Sequence, residues 1–509
     1  MQLNRWEKAA IAVFIVLTGM RLFLSGYLGL GDDEAYYWDW SRHLQLSYYD
    51  HPAMVAWLIK AGTSIFGQNA FGVRIFGAIS YALTGALLWK LALEIFKNRT
   101  TAAITFLLYT TAPIFAIGGI LMVPDAPMSI AWTAVTFLVW RILGDGDSRW
   151  RTWILAGIAL GLGLISKYTI VLLAFSVVLL LLTERECRKE FVRPKLWVTM
   201  LIAAVLCFPI IAWNIQYDWP TLKFHLHDRQ TGGGGANFTR WGQYWASQAV
   251  ALGPALFLVV LATGVVAARR FQDRRWRFLL VLSAPTFLIF TAQALYAEFK
   301  PHWPAPAYTL MFIGVAEWGR QGFGFAAQST QKTARIAIAA LVLAIVVPLN
   351  VVFHVGCVWP VIPKLARAFG AGATWDPKFD PTNDMYGWEK AAEEAKKIRE
   401  EFAQRGERLP FLSSSRYQLV SQLAFVTQER VWRVSPGRDQ YTFWQTADDM
   451  NAIRGEPSIF ITDNRFERDP RNDNIFESCE PRPPLDVYRG TELARRFHIY
   501  VCKGYRGIQ

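Results

Sequence analysis

An all-α, many-span membrane protein with a small α/β domain outside the bilayer is the fold class this sequence predicts. Three observations predict it: apolar runs of span length, basic clusters that fall between alternate runs, and a change of character near residue 357. The 509 residues are 53% hydrophobic and only 18% charged, and mean hydropathy is +0.20. A disordered chain needs few apolar residues and many charges. An ordinary soluble enzyme carries about 25% charged residues. Neither class fits, and 5 Cys in this length exclude a disulfide scaffold.

A span needs about 20 mainly apolar residues. The first run, Ala9 to Tyr27, follows a short basic start (Arg5, Lys8). No small-residue cleavage site follows it, so it reads as a retained helix rather than a signal peptide. Further runs lie at 72–94, 102–121, 127–143, 153–166, 168–183, 197–215, 245–268, 278–297, 304–319 and 335–355. The expected total is about eleven spans.

The net charge of +13 is distributed, and its distribution sets the topology. With the N-terminus in the cytoplasm, the basic linkers 97–99, 147–151, 185–195, 269–277 and 320–335 all fall inside, as the positive-inside rule requires. That explains the basic balance without nucleic acid. The long first loop (28–70) and everything after about Cys357 then lie outside. The expected domains are residues 1–356, spanning the membrane, and 357–509, an extracytoplasmic α/β domain.

In that second part, Trp388 to Arg405 reads as an amphipathic helix, with Ala391, Ala392, Ala395 and Ile398 set among Glu and Lys. Short strands are expected at Pro410–Leu412, Arg430–Val434, Ser458–Thr462 and Phe497–Cys502. Cys479 and Cys502 either form a disulfide, as an oxidising compartment permits, or stay as two buried thiols.

Polar residues collect on the outer side. Gly31-Asp32-Asp33-Glu34-Ala35-Tyr36-Tyr37-Trp38 places three acids together at a membrane exit. Such a group binds a cation, pairs with Arg, acts as a base, or is simply a solvated turn. Tyr48-Tyr49-Asp50-His51-Pro52 follows in the same loop and reads equally as a structural turn. Asp125, between Pro124 and Pro127, either caps a helix or faces a site. Lys167, in Ser166-Lys167-Tyr168-Thr169, sits between two short spans and either snorkels or holds an anion.

Two more loops add donors. Lys223 to Arg240 carries His225, His227, Asp228, Arg229 and four glycines, a composition suited to a lid. Phe299 to Tyr308 sets Lys300, His302 and Trp303 on rigid proline geometry. Fixed cations suit phosphate. Acids for a base, cations for a phosphate, aromatics for a sugar and an apolar groove for a lipid tail fit one reaction: sugar transfer from a lipid-phosphate carrier.

These motifs resemble glycosyltransferase family 39, which includes the protein O-mannosyltransferases. They are similar to its bacterial branch, the lipid A aminoarabinose transferases and lipopolysaccharide galacturonosyltransferases. Lys300-Pro-His-Trp-Pro-Ala-Pro-Ala-Tyr308 and, further on, Ser415 to Phe425 and Gln440 to Trp444 carry the same likeness. The resemblance implies a GT-C membrane fold and an enzyme of a bacterial inner membrane with a periplasmic site. It implies a polyprenyl-phosphate-sugar donor and a glycolipid acceptor (lipid A or lipopolysaccharide core) or a protein acceptor. It places the catalytic acids at Asp33, Glu34 and Asp125, with Asp33 as the base. Donor-phosphate contacts fall to Lys167, His51, Arg229, Lys300 and His302. Sugar or acceptor contacts fall to Asp32, Tyr36, Tyr37, Asp50 and Trp303. No resident cofactor is implied, although a divalent cation at the acidic turn stays open. A polyprenyl-lipid transporter or a polysaccharide polymerase are the competing readings. A transporter needs polar groups at mid-membrane, whereas here they gather on one side.

Overall fold

A computed structural model describes residues 2–225, 235–322, 328–370 and 375–507. The helices are α1 (Arg5–Tyr27), α2 (Asp32–Arg42), α3 (Met54–Phe66), α4 (Ala70–Phe96), α5 (Arg99–Thr111), α6 (Pro113–Gly118) and α7 (Asp125–Val139). They continue as α8 (Trp150–Leu164), α9 (Val171–Thr183), α10 (Pro194–Leu206), α11 (Phe208–Gln216), α12 (Pro220–Lys223), α13 (Phe238–Leu252), α14 (Pro254–Arg269), α15 (Arg274–Tyr296), α16 (Ala305–Gln321) and α17 (Gln328–Gly356). The chain forms two compact units. One holds Met1–Ser25, Gln45–Leu58 and Arg74–Phe353; the other holds Gly26–Leu44, Ile59–Val73 and His354–Gln509. The second unit therefore draws on the first loop as well as on the C-terminal part.

Every apolar run read from the sequence is helical, but not every run is one straight span. Among the described residues, Arg5–Tyr27, Ala70–Phe96, Asp125–Gly144, Arg274–Tyr296 and Ala339–Gly356 are each long and apolar enough to cross a membrane. The run expected at 245–268 is instead the pair α13 and α14, bent by 105°. Gly253 sits at φ +84° and Pro254 follows it. A left-handed residue followed by a proline ends one helix and starts another. The run at 197–215 is likewise α10 and α11, bent by 42° at Cys207. The first loop also holds an apolar helix the sequence reading passed over, α3.

In the helical unit, α8 packs between α7 and α10, and α16 packs on α5, α14 and α15. Arg21, which interrupts the apolar run of α1, is buried: its guanidinium donates to the Thr110 carbonyl at 2.9 Å and lies 4.3 Å over the Tyr81 ring. A cation–π contact and a carbonyl acceptor let a charge persist there.

The second unit has a mixed sheet. Its strands are β1 (Phe411–Ser414), β2 (Trp432–Arg433), β3 (Ser458–Asp463), β4 (Phe476–Pro481), β5 (Leu485–Arg489) and β6 (Glu492–Tyr505). The order is β2-β1-β3-β6-β4, with β5 also on β6. β1 runs parallel to β2 and β3, and β6 runs antiparallel to β3, β4 and β5. Helices α18 (Val361–Ala368), α19 (Trp388–Gln404), α20 (Tyr417–Thr427) and α21 (Ala447–Ala452) complete the unit. The four strands read from sequence fall on β1, β2, β3 and β6, and the amphipathic helix on α19, whose Ala391, Ala395 and Ile398 are buried. Cys479 and Cys502 pair across β4 and β6 and are joined as a disulfide.

Candidate functional site

In the helical unit the site residues sit on three turns. Asp125 opens α7, Lys167 follows α8, and His302 precedes α16. The Lys167 ammonium, almost wholly buried, donates to both carboxylate oxygens of Asp125, at 2.7 and 2.6 Å. His302 Nε2 lies 3.9 Å from the same carboxylate. Asp125 does not cap α7 with its side chain, since Pro124 is the cap residue and no side-chain cap bond forms. Its carboxylate serves the lysine instead. A lysine has three donors, so this arrangement fixes a cation without using up its bonding capacity.

A second group is built around the Tyr48–Pro52 turn. Ser47 bridges Pro52, and Tyr48 N–H donates to the His51 carbonyl at 3.2 Å. The Asp50 carbonyl meets His225 Nε2 at 3.0 Å, and the Tyr168 ring meets the His225 ring edge-on at 5.3 Å. Met54 N–H donates to the Ile165 carbonyl at 3.1 Å. The loops of Asp50 and His51, of Lys167 and of His225 are thus tied together. Trp303 is buried beside Phe290, and Lys300 is exposed. Arg229, like His227 and Asp228, lies outside the described residues.

The acidic turn belongs to the other unit, where the three neighbouring acids have three different environments. Glu34 is buried, and its carboxylate accepts the Gly31 N–H at 3.0 Å, closing the first turn of α2. Asp32 is buried and accepts from Gln422 Nε2 at 3.1 Å, with Arg465 Nη1 at 3.7 Å. Asp33 is exposed, and its carboxylate accepts from the Tyr417 hydroxyl at 3.1 Å. Burial, with the Asp384 charge added to it, raises the Asp32 pKa; Arg495, Gln422 and Arg465 only partly offset this. Burial raises Asp384 as well, and Arg465 ion-pairs with it.

The aromatic residues behind the acids are structural partners of α20 and its neighbours. The Tyr36 hydroxyl accepts the Gln440 N–H at 2.8 Å, and its ring lies 4.3 Å from Tyr417. Tyr37 packs edge-on against Trp40 at 4.9 Å. Tyr441 donates to the buried Asp39 at 2.7 Å. Reading the sequence missed Asp384, Arg465 and Asp39. Tyr417, Gln422 and Gln440 fell inside segments noted only for their likeness, which was the available signal.

Among the described residues, no three His, Cys, Asp or Glu side chains converge to hold a metal ion. The acids present are matched instead to nitrogen donors: Asp125 to Lys167, Asp32 to Gln422, Asp384 to Arg465. Among the described residues, this donor set does not fit a resident divalent cation.

With this geometry in hand, comparisons with known proteins locate it. The sequence model of the dolichyl-phosphate-mannose-protein mannosyltransferase family matches residues 50–213. The lipid A galacturonosyltransferase RgtD of Rhizobium johnstonii is 29% identical over 287 residues, 56% of this chain and 59% of that protein. The undecaprenyl phosphate-alpha-4-amino-4-deoxy-L-arabinose arabinosyl transferase of Pseudomonas aeruginosa is 31% identical over 228 residues, 42% of this chain and 41% of its own. The chain spans about half the length of the curated relatives it matches. The crystal structure of ArnT from Cupriavidus metallidurans bound to undecaprenyl phosphate superposes with a TM-score of 0.61 over 96% of this chain and 97% of that one, at 15% identity. Its apo form gives 0.60. The fold of this chain is that of ArnT, and the resemblance read from its motifs is matched by these relatives.

Proposed function

We propose that this chain is an integral-membrane glycosyltransferase that moves a sugar from a polyprenyl-phosphate carrier to lipid A or lipopolysaccharide core. One observation carries the reading. Of the three acids that open α2, Asp33 alone is exposed, while Glu34 closes the helix turn and Asp32 is buried against Gln422. An exposed carboxylate at a helix start, oriented by a tyrosine hydroxyl, is placed to take a proton from an incoming nucleophile.

In the proposed reaction an acceptor hydroxyl oxygen attacks C1 of the sugar. The bond from C1 to the carrier phosphate breaks, and its electron pair leaves with the polyprenyl phosphate. Asp33 takes the hydroxyl proton. Lys167, held by Asp125, stabilises the charge of the departing phosphate, with His302, Lys300, His51 and Arg229 as further cations or donors. Asp125 gives the buried Lys167 its counter-charge, since a buried charge is tolerated only where it is paired and hydrogen-bonded. Asp50 and Trp303 shape the surroundings of the sugar, while Tyr36 and Tyr37, buried against Tyr417 and Trp40, support the acidic turn. In this reading the N-terminus lies in the cytoplasm of a bacterial inner membrane and the acidic turn in the periplasm, an orientation the basic linkers support.

A protein acceptor is the second reading, favoured by the mannosyltransferase description of the family model that matches residues 50–213. Mass spectrometry of lipid A and core from cells with and without the gene separates the two. A hexose, pentose, uronic acid or amino-sugar mass that appears only with the gene supports the glycolipid reading. Unchanged glycolipids with a glycosylated periplasmic protein support the second.

A further inference from the structure

The acidic turn is held from three sides by groups the reaction does not need. Gln422, on α20, donates through Nε2 to the Leu30 carbonyl at 2.8 Å, to Asp32 Oδ1 at 3.1 Å and to the Asp384 carbonyl at 3.2 Å. Arg465 donates through Nη1 to Asp384 Oδ1, lies 3.7 Å from Asp32 Oδ2, and donates through Nη2 to the Lys378 carbonyl at 3.1 Å. Arg465 is itself fixed, because its backbone N–H donates to Asp463 Oδ1 at 3.1 Å. Asp463 is fully buried and ion-paired to Arg495, whose other nitrogen donates to the Asn383 carbonyl at 2.9 Å. The backbone closes the third side. A Cβ on Gly29 would meet the Met385 carbonyl oxygen at 2.4 Å, so only glycine lets the two strands of chain approach this closely.

Two carboxylates, the buried Asp32 and the half-buried Asp384, are brought together by one guanidinium. Leaving them together costs stability unless a cation faces both, as Arg465 Nη1 does. Such an arrangement is explained if it does something for the turn it holds. Resting on the reading of Asp33 as the base, we propose that Arg465 is a positioning residue: with Asp384 and Gln422 it clamps Asp32 and so fixes the direction of the adjacent Asp33 carboxylate. Asp32 is then the anchor of the turn and Asp33 its working acid. Arg465 touches no reacting atom. It acts through a chain of Arg465 to Asp32 to the first turn of α2. A 1 Å misplacement of a catalytic group costs about 10²-fold in rate, which sets the size of effect to expect.

The test uses the full-length protein. Arg465→Gln, Arg465→Lys, Gln422→Met and Asp33→Asn are each expressed in cells lacking the gene, and the rate of appearance of the gene-dependent glycan mass is followed. Each purified variant is then examined by hydrogen exchange over residues 28–36. Arg465→Gln and Gln422→Met are expected to slow transfer about 10²-fold and to speed exchange in 28–36. Arg465→Lys, which keeps the charge but not the fork, recovers part of both. Asp33→Asn is expected to slow transfer about 10²–10⁴-fold with exchange in 28–36 unchanged, which separates the base from its clamp. Transfer at the wild-type rate in Arg465→Gln overturns the proposal. So does lost transfer with unaltered exchange, since Arg465 then acts on a substrate directly. Wild-type transfer by Asp33→Asn overturns the base assignment and, with it, the clamp's catalytic role, whatever the exchange shows. Gln422→Met keeps the test decisive if Arg465→Gln fails to accumulate.

Discussion

The turn that opens α7 and the turn that opens α2 both set carboxylates at a helix N-terminus, where partial positive charge favours anions. They are finished differently. At α7 one acid, Asp125, gives both oxygens to one buried lysine. At α2 three acids divide the work: one closes the turn, one is clamped, and one is exposed. A carboxylate saturated by a lysine holds a cation in place. A carboxylate set apart from its neighbours by their own bonds can exchange a proton. Adjacent residues of one chemical type therefore acquire distinct roles from the partners around them, with no change in covalent structure.

The largest expected effect breaks the comparison on the α2 side. Asp33→Asn loses transfer by about 10²–10⁴-fold, while Glu34→Gln, which keeps a group able to accept the Gly31 N–H, loses far less. Glycan mass per unit of inserted protein measures both. Equal losses would mean that the three acids are not differentiated. On the α7 side, Lys167→Ala leaves the Asp125 carboxylate without its partner and is expected to lower both rate and accumulation. The double change Lys167→Ala with Asp125→Asn should accumulate better than the single one, because no unpaired charge remains. Thermal unfolding in detergent reads that difference, and a double variant no better than the single would show that the unpaired Asp125 charge is not what destabilises the Lys167→Ala protein.

A smaller effect sharpens the comparison through pH. Asp32 and Asp384 have raised pKa values in the folded protein. A raised acid contributes stability that is full below its unfolded pKa, near 4, and is lost as pH rises through the folded value. The second unit should therefore melt at lower temperature at pH 8 than at pH 5. Asp384→Asn should flatten that dependence by removing one of the two neighbouring carboxylates. An unchanged slope would mean that the two acids are not linked in solution. The smallest effect concerns the sheet. Opening Cys479–Cys502, which closes a loop with a sequence separation of 23, should cost about 3 kcal/mol, seen as a lower melting temperature in reductant with the helical unit unaffected.

The helical unit was largely legible because a span is a local pattern: twenty apolar residues announce themselves without a partner. The bend at Gly253-Pro254 was legible in principle, since that dipeptide marks a break, but the apolar run continues across it and hides it. The acidic turn and Lys167 stood out for the same local reason, as charges at the ends of apolar runs. What stayed hidden was pairing. Nothing in the sequence around Asp384 or Arg465 separates them from other charged residues of a polar domain. Their roles come from α20 and the 463–466 turn folding back onto α2. Strands β4 and β5 were missed because β4 carries Glu477, Glu480 and Pro481 and exposes most of its length, as an edge strand does, so its hydrophobic alternation is weak.

The order in which the chain is made gives the composition of the second unit a further meaning. Its first piece, 26–44, leaves the ribosome before most of the helical unit, yet β6, the strand that binds β3, β4 and β5, follows all of that unit. The acidic turn is thus translated before most of the spans and assembled after them. Until residues 492–505 arrive, the sheet behind α20 lacks its central strand, and the turn lacks a settled surface to close on. A chain that has not yet made residues 492–505 would hold its spans without the settled turn that the proposed base needs.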